Sequence, residues 1–297
     1  MAAEGQLQSL RGVTEYRKTL GRKIRHLAGR HINGVVGLVI IVLVILVAIF
    51  ADVLSTHSPI ATSPVDRLQS PSSEHYFGTD NFGRDLYSRT IHGSRVSLIV
   101  GFGVAAVAVI GGVVIGLIAG YFERLEPPLM RVMDALMAFP GIILAIGIVA
   151  ATGPSVVNVI IALGVVFIPR VARLMRGVVL GIREMQYIEA ARAIGVPDRT
   201  IIVRHIMRNA WSPIIVQATF IFAEGVIGEA TLSFLGVGSP PFIPSWGNIL
   251  GEAREYIRAA PWMMFLPGIA LMLTVLSLNL FGDGVRDLLD PRLRRSG

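Results

Sequence analysis

Long apolar runs divide the chain, at 34–51, 96–122, 132–151, 156–172, 211–230 and 262–281. Each is close to the length that a helix needs to cross a bilayer, so the pattern predicts six spanning helices. The longest polar interval, 183–213, lies between the fourth and fifth runs and reads REMQYIEAARAIGVPDRTIIVRHIMRNAWSP. Its grammar is helix, break, helix. The residues from Glu184 to Ile194 favour a helix with Ile188, Ala191 and Ile194 on one face, and Gly195 can close it in the left-handed conformation. Pro197 prevents continuation, and Asp198 can cap a second short helix carrying Ile201, Ile202, His205 and Ile206 at helical spacing. An amphipathic loop lying on the lipid surface would have the same periodicity.

The polar segments add detail. Residues 56–95 are broken by Pro59, Pro64 and Pro71. Within them FGTDNFGRDLYSRT predicts a short helix at the membrane interface, capped by Thr79 or Asp80 and running through Asp85 and Arg89. A surface helix held by an Arg84 and Asp85 charge network fits the same residues. In the second run Gly112, Gly116 and Gly120 recur every four residues, with Ala105 and Ala108 near the same face, which predicts close contact with another helix. Asp134 is expected near a membrane edge, reaching water or Arg131. Arg170, Arg173 and Arg176 mark the chain leaving the fourth span. Glu224 lies inside the fifth span and Glu229 near its end. An acid there is expensive and faces protein or water, so Glu224 either lines a pore or interface or pairs with a polar neighbour. Residues 232–250 are too rich in Gly and Pro for a regular helix and read as a partly buried loop near a mouth. Asp283 can cap a short terminal helix stopped by Pro291.

Composition sharpens this to a membrane protein. Of 297 residues 53% are apolar and only 16% charged, too few charges for an ordinary soluble domain. Cysteine is absent, which removes disulfides, thiolate metal sites and Cys nucleophiles. The formal charge of +7 lies in loops rather than on a soluble basic face, so nucleic acid is not an expected partner. Basic residues from Arg11 to Arg30 precede the first run, which is longer than a cleavable signal's core and lacks an Ala-x-Ala site, so it reads as an uncleaved helix. With both termini and the 183–213 loop on one side, that side holds 21 of the 27 basic residues, the cytoplasmic bias.

The motifs also carry a resemblance. Glu189-Ala190-Ala191, then Gly195, then a run through Ile206, resembles the EAA loop of the inner-membrane subunits of bacterial ABC importers, although Met207-Arg208 stands where that family commonly has Leu-Pro. Gly78-Thr79-Asp80, Gly83-Arg84-Asp85, the LSFLGVGSPP…WG string and the GDGVRD ending are similar to the dipeptide, oligopeptide and nickel branch, C-type subunit. The resemblance implies an all-α integral membrane fold of the type I importer permease class, with six spanning helices, in the bacterial inner membrane. It implies a cytoplasmic segment at 1–33, a first helix and external loop at 34–76, a core at 77–282 and a cytoplasmic tail at 283–297. The expected partners are a second, non-identical permease subunit, two ABC ATPase subunits and an external solute-binding protein. No P-loop occurs, because neither Lys18 nor Lys23 follows Gly, so no catalytic, metal or cofactor site is expected in this chain and ATP and Mg belong to the ATPases. Glu189, Ala190, Ala191, Gly195 and Ile206 would couple to the ATPase, and residues 78–85 would form an external interface. Dipeptides or oligopeptides are the expected cargo, with nickel or glutathione as alternatives. An ion-gradient-driven secondary transporter is the competing class, which would want paired mid-membrane charges or internal repeats. An intramembrane hydrolase lacks both HExxH and Cys.

Overall fold

A computed structural model describes residues 32–289, and these are helical apart from turns and an isolated bridge between Thr79 and Asp85. The basic residues from Arg11 to Arg30 and the stop at Pro291 lie outside the described residues. The main helices are α1 (Ile32–Ile49), α2 (Leu86–Tyr121), α3 (Glu126–Met137), α4 (Gly141–Thr152), α5 (Val156–Arg183), α6 (Gln186–Ala193), α7 (Asp198–Phe234), α8 (Trp246–Ala253) and α9 (Trp262–Leu289). Five of them, α1, α2, α5, α7 and α9, are long and apolar enough to cross a membrane. The bent pair α3 and α4 meets the same criterion only when its two halves are taken together.

That pair departs from the sequence reading, which expects one regular span over 132–151. The two halves meet at 90° around Phe139 and Pro140. Pro140 lacks an N–H and disfavours helical backbone at the residue before it, so the helix stops there and restarts at Gly141. Each half has 12 residues, about 18 Å of helix, too short to span alone.

Helix α2 is the axis of the bundle. Gly112, Gly116 and Gly120 lie against Val171, Ala172, Met175 and Val179 of α5, and a Cβ on Gly116 would stand 2.5 Å from the Ala172 carbonyl oxygen. Because lipid offers no hydrophobic drive between helices, such close approach gains dispersion contacts instead. On another side α2 meets α7, where Gly101 faces Val226 and Gly225 faces Val104. Helix α1 leans on α9 through Gly34 against Gly284, while Val39, Leu43 and Ile45 on its other faces are exposed as lipid requires.

Several boundaries differ from expectation. Asp85, rather than Thr79 or Asp80, caps α2 by accepting from the Ser88 amide at 2.8 Å. Asp283 caps nothing, since α9 continues unbroken to Leu289. Residues 232–250 contain the end of α7 and the start of α8, the latter capped by Ser245. The second short helix of 183–213 is the first part of α7, with a π-helical stretch at Ile201–Ile206 joining it to the span. Helix α5 runs on past Arg170, Arg173 and Arg176 to Arg183.

Candidate functional site

At one end of the bundle α6 forms a projecting knob. Ile188 and Ala191 are buried and belong with Ile201, Ile206, Val179 and Ile182 in one apolar cluster. This leaves Glu189, Ala190 and Ala193 exposed, and Ile194 is 81% exposed. The helix ends in a left-handed turn: Gly195 has φ +80°, its amide donates to Arg192, and the Val196 amide donates to the Ala191 carbonyl. Nothing lies near the position of a Cβ at Gly195, so backbone conformation alone selects glycine there.

The knob is braced from below. The Tyr121 hydroxyl donates to Asp198, the Arg192 guanidinium lies 5.1 Å from the centre of the Tyr121 ring, and Arg183 pairs with Glu123 at 3.0 Å. Asp198 therefore serves as an acceptor from α2 rather than as a helix cap. Of the residues predicted for coupling, the structure exposes Glu189, Ala190 and Gly195, and buries Ala191 and Ile206 as the base on which they stand.

The opposite end is built from residues 56–93 and α8. Gly78 and Gly83 turn with φ +73° and +72°, and a Cβ on Gly83 would overlap the Ser63 carbonyl at 1.8 Å. Asp80 accepts from the Phe82 and Arg84 amides and from Arg84 Nε at 2.6 Å. Arg84 then reaches Glu252 of α8 at 2.5 Å, and Arg89 lies 3.4 Å from both Asp80 and Glu252. Burial pushes the Glu252 carboxyl above the usual range, against the pull of Arg89 and Arg84. His75 pairs with Asp85 at 2.9 Å, and the Thr79 hydroxyl accepts from the Gln69 amide.

Gly78, Thr79, Asp80, Gly83, Arg84 and Asp85, the residues named for an external interface, are buried within this chain and form an internal clamp. Thr79, Asp80, Arg84 and Asp85 are all buried, because their polar groups are satisfied by internal partners, whereas Tyr76 and Phe82 are exposed. The Arg84 and Asp85 network is corrected likewise, since Arg84 pairs with Asp80 and Glu252. Sequence reasoning missed His75, which meets Asp85 ten residues on, and Glu252, whose contact with Arg84 spans 168 residues.

Between the two ends lie the acids of α7. Glu229 is fully buried, accepting from Ser233 at 2.8 Å and Ser239 at 3.0 Å, with Ser97 of α2 at 3.4 Å. This corrects its assignment as a pore or interface candidate: enclosure by three hydroxyls makes it a tie between α2, α7 and the following loop. Glu224 instead pairs with Arg170, and both are partly exposed. Asp134 pairs with Arg173 rather than Arg131, at 2.6 Å.

Residues 112–295 match the family described as binding-protein-dependent transport system inner membrane component, and residues 29–71 match the N-terminal TM domain of oligopeptide transport permease C. A putative peptide transport system permease protein of Brucella abortus is 50% identical over 268 residues, 90% of each chain. The dipeptide transport system permease protein of Alkalihalophilus pseudofirmus is 47% identical over 88% of this chain and 86% of its own. The glutathione transport system permease protein of Pectobacterium atrosepticum is 41% identical over 91% and 90%. Among solved structures, an amino acid ABC transporter with histidines aligns with TM-score 0.50 at 18% identity, covering 70% of this chain and 94% of that one, a likeness of fold.

Proposed function

The chain belongs to the family of binding-protein-dependent transport system inner membrane components, and from that premise we propose that it is the permease subunit through which an ATP-driven importer passes dipeptides or oligopeptides. It is a multi-pass inner-membrane protein with the type I importer permease fold, and its family supplies the membrane component rather than the catalyst. The peptide cargo is carried over from relatives named for peptides and dipeptides; the relative named for glutathione keeps that tripeptide as the alternative.

The observation that carries the mechanism is the Glu189 knob. Its apolar base is shared with α5 and α7, the two helices that enter and leave it, so a displacement of the knob is passed to both. Separate ATPase subunits bind and hydrolyse ATP, and the exposed residues Glu189, Ala190, Ile194 and Gly195 dock on one of them. ATP-driven closure of the ATPase pair pulls the knob, and the bundle rocks against a second permease subunit between inward- and outward-open states. The knob and both termini face the cytoplasm, in line with the distribution of basic residues. An external solute-binding protein delivers the peptide at the clamp end.

The absence of native cysteine gives a direct test. Ile194→Cys introduces a single thiol at a position 81% exposed on the knob. In the assembled complex a short bifunctional reagent should join it to an ATPase subunit, and the yield should change on adding ATP. A thiol that stays freely reactive and unlinked in the complex overturns the docking assignment.

A further inference from the structure

Three arginines recur at i, i+3 and i+6 along α5, and each meets a carboxylate from another helix. Arg176 pairs with Glu126, Arg173 with Asp134 and Arg170 with Glu224. Arg170 is the deepest. It stands about 20 Å from either end of α5 at 1.5 Å per residue, on the knob side of that helix's apolar stretch. Its side chain is 51% exposed and that of Glu224 38%. A charge pair on a spanning helix does not face hydrocarbon, so the face it occupies meets water or protein. Gly177 and Gly181 follow toward the knob, with no atom within 4 Å of a Cβ at either.

The pairing also leaves capacity unused. Arg170 donates through Nη1 alone, at 2.5 and 2.6 Å to the two Glu224 oxygens. Among the described residues its Nε and Nη2 edge has no partner. That edge is the two-donor fork that receives a carboxylate in parallel hydrogen bonds. Beside it stands an anionic oxygen pair suited to an ammonium.

We propose that Arg170 and Glu224 form a transit site that reads the two charged termini of a short peptide, Arg170 taking the α-carboxylate and Glu224 the α-ammonium. The inference rests on the peptide-permease reading above and adds to it the group chemistry recognised inside the membrane. An ion pair offers both signs at one place, which matches a zwitterion better than an anion or a cation alone. Because each charge is already partly neutralised by the other, the peptide is held weakly and leaves readily.

The test uses the complete complex with its binding protein in proteoliposomes, with ATP on the ATPase side. Maximal uptake rates are compared for dialanine and its C-terminal amide, each at a concentration that saturates the binding protein. The wild-type complex should favour the free acid, and Arg170→Gln should reduce the ratio of the two rates about tenfold, the loss of one charged hydrogen-bonded contact. Glu224→Gln should act in parallel on the ratio of dialanine to N-acetyl-dialanine. If Arg170→Gln does not assemble, Arg170→Lys keeps the ion pair but lacks the fork, and the same ratio is read. Ratios unchanged in variants that still transport overturn the transit site. A wild-type complex that moves no peptide, free or blocked, overturns the peptide-permease reading instead.

Discussion

Gly116 and Gly177 lie on helices in the same membrane, yet alanine at the two positions should act in opposite directions. Alanine in a helix interior is favoured over glycine by about 1 kcal/mol, a gain common to both sites. At Gly116 a Cβ would lie 2.5 Å from the Ala172 carbonyl oxygen, 2.7 Å from the Met175 Cβ and 3.1 Å from the Arg176 amide nitrogen. Two of these are backbone atoms of α5, which cannot swing aside as a side-chain tip would, so α2 and α5 must move apart along the seam that also holds Gly112 and Gly120. Overpacking of this kind costs about 1–3 kcal/mol, and the lost contacts along the seam add to it. At Gly177 nothing lies within 4 Å and only the propensity gain remains. Gly116→Ala should therefore lower the thermal midpoint of the detergent-purified chain, with Gly116→Leu lower still, while Gly177→Ala should leave it unchanged or raised. Equal midpoints for Gly116→Ala and Gly177→Ala would refute the reasoning that α2 packs on α5 through its glycines.

Gly195→Val should leave membrane insertion intact but weaken docking, read as less ATPase co-purifying and lower peptide-stimulated ATP hydrolysis, because a β-branched residue at φ +80° is strained by about 1–2 kcal/mol; full co-purification and full stimulation would show that the turn does not matter. Glu252→Ala leaves Arg84 and Arg89 sharing Asp80 alone and should destabilise the clamp by about 3 kcal/mol, read as faster hydrogen exchange over residues 78–90; unchanged protection there would contradict the network. Asp52 is held below the usual carboxylate range by hydrogen bonds from Arg95 and His92. Its folded value is depressed, so its contribution is present above the unfolded pKa and lost as pH falls through the folded one. Below about pH 4 the wild type should lose its stability advantage over Asp52→Asn, and a constant difference across that range would count against the pairing.

The sequence made the spans legible because lipid imposes one requirement, long apolar stretches with internally bonded backbone, and the runs now seen as α1, α2, α5, α7 and α9 meet it plainly. The left-handed turn was legible at Gly195 because Gly-x-Pro punctuates a helix by local chemistry. The break at Pro140 is equally local but is masked by the continuous hydropathy on its two sides. What could not be read was pairing at a distance. Asp80, Arg84 and Arg89 announce a polar cluster, but Glu252, which completes it, is more than 160 residues away and reaches it only once α8 has folded onto α2. The pairing of Arg170 with Glu224 is hidden for the same reason, since the two are 54 residues apart. Glu229 and Glu224 stand five residues apart on one helix, and only the bundle tells the enclosed acid from the open one.

The central claim, that this chain is a permease driven by ATP hydrolysed on partner subunits, is tested most directly by uptake of labelled dipeptide into sealed vesicles. With the second permease subunit, the ATPases and the binding protein present, uptake should require ATP on the side of the Glu189 knob, and the chain alone should move no peptide under ATP or a proton gradient. Gradient-driven uptake by the isolated chain, abolished by Glu224→Gln, would contradict the account and make the protein a secondary transporter.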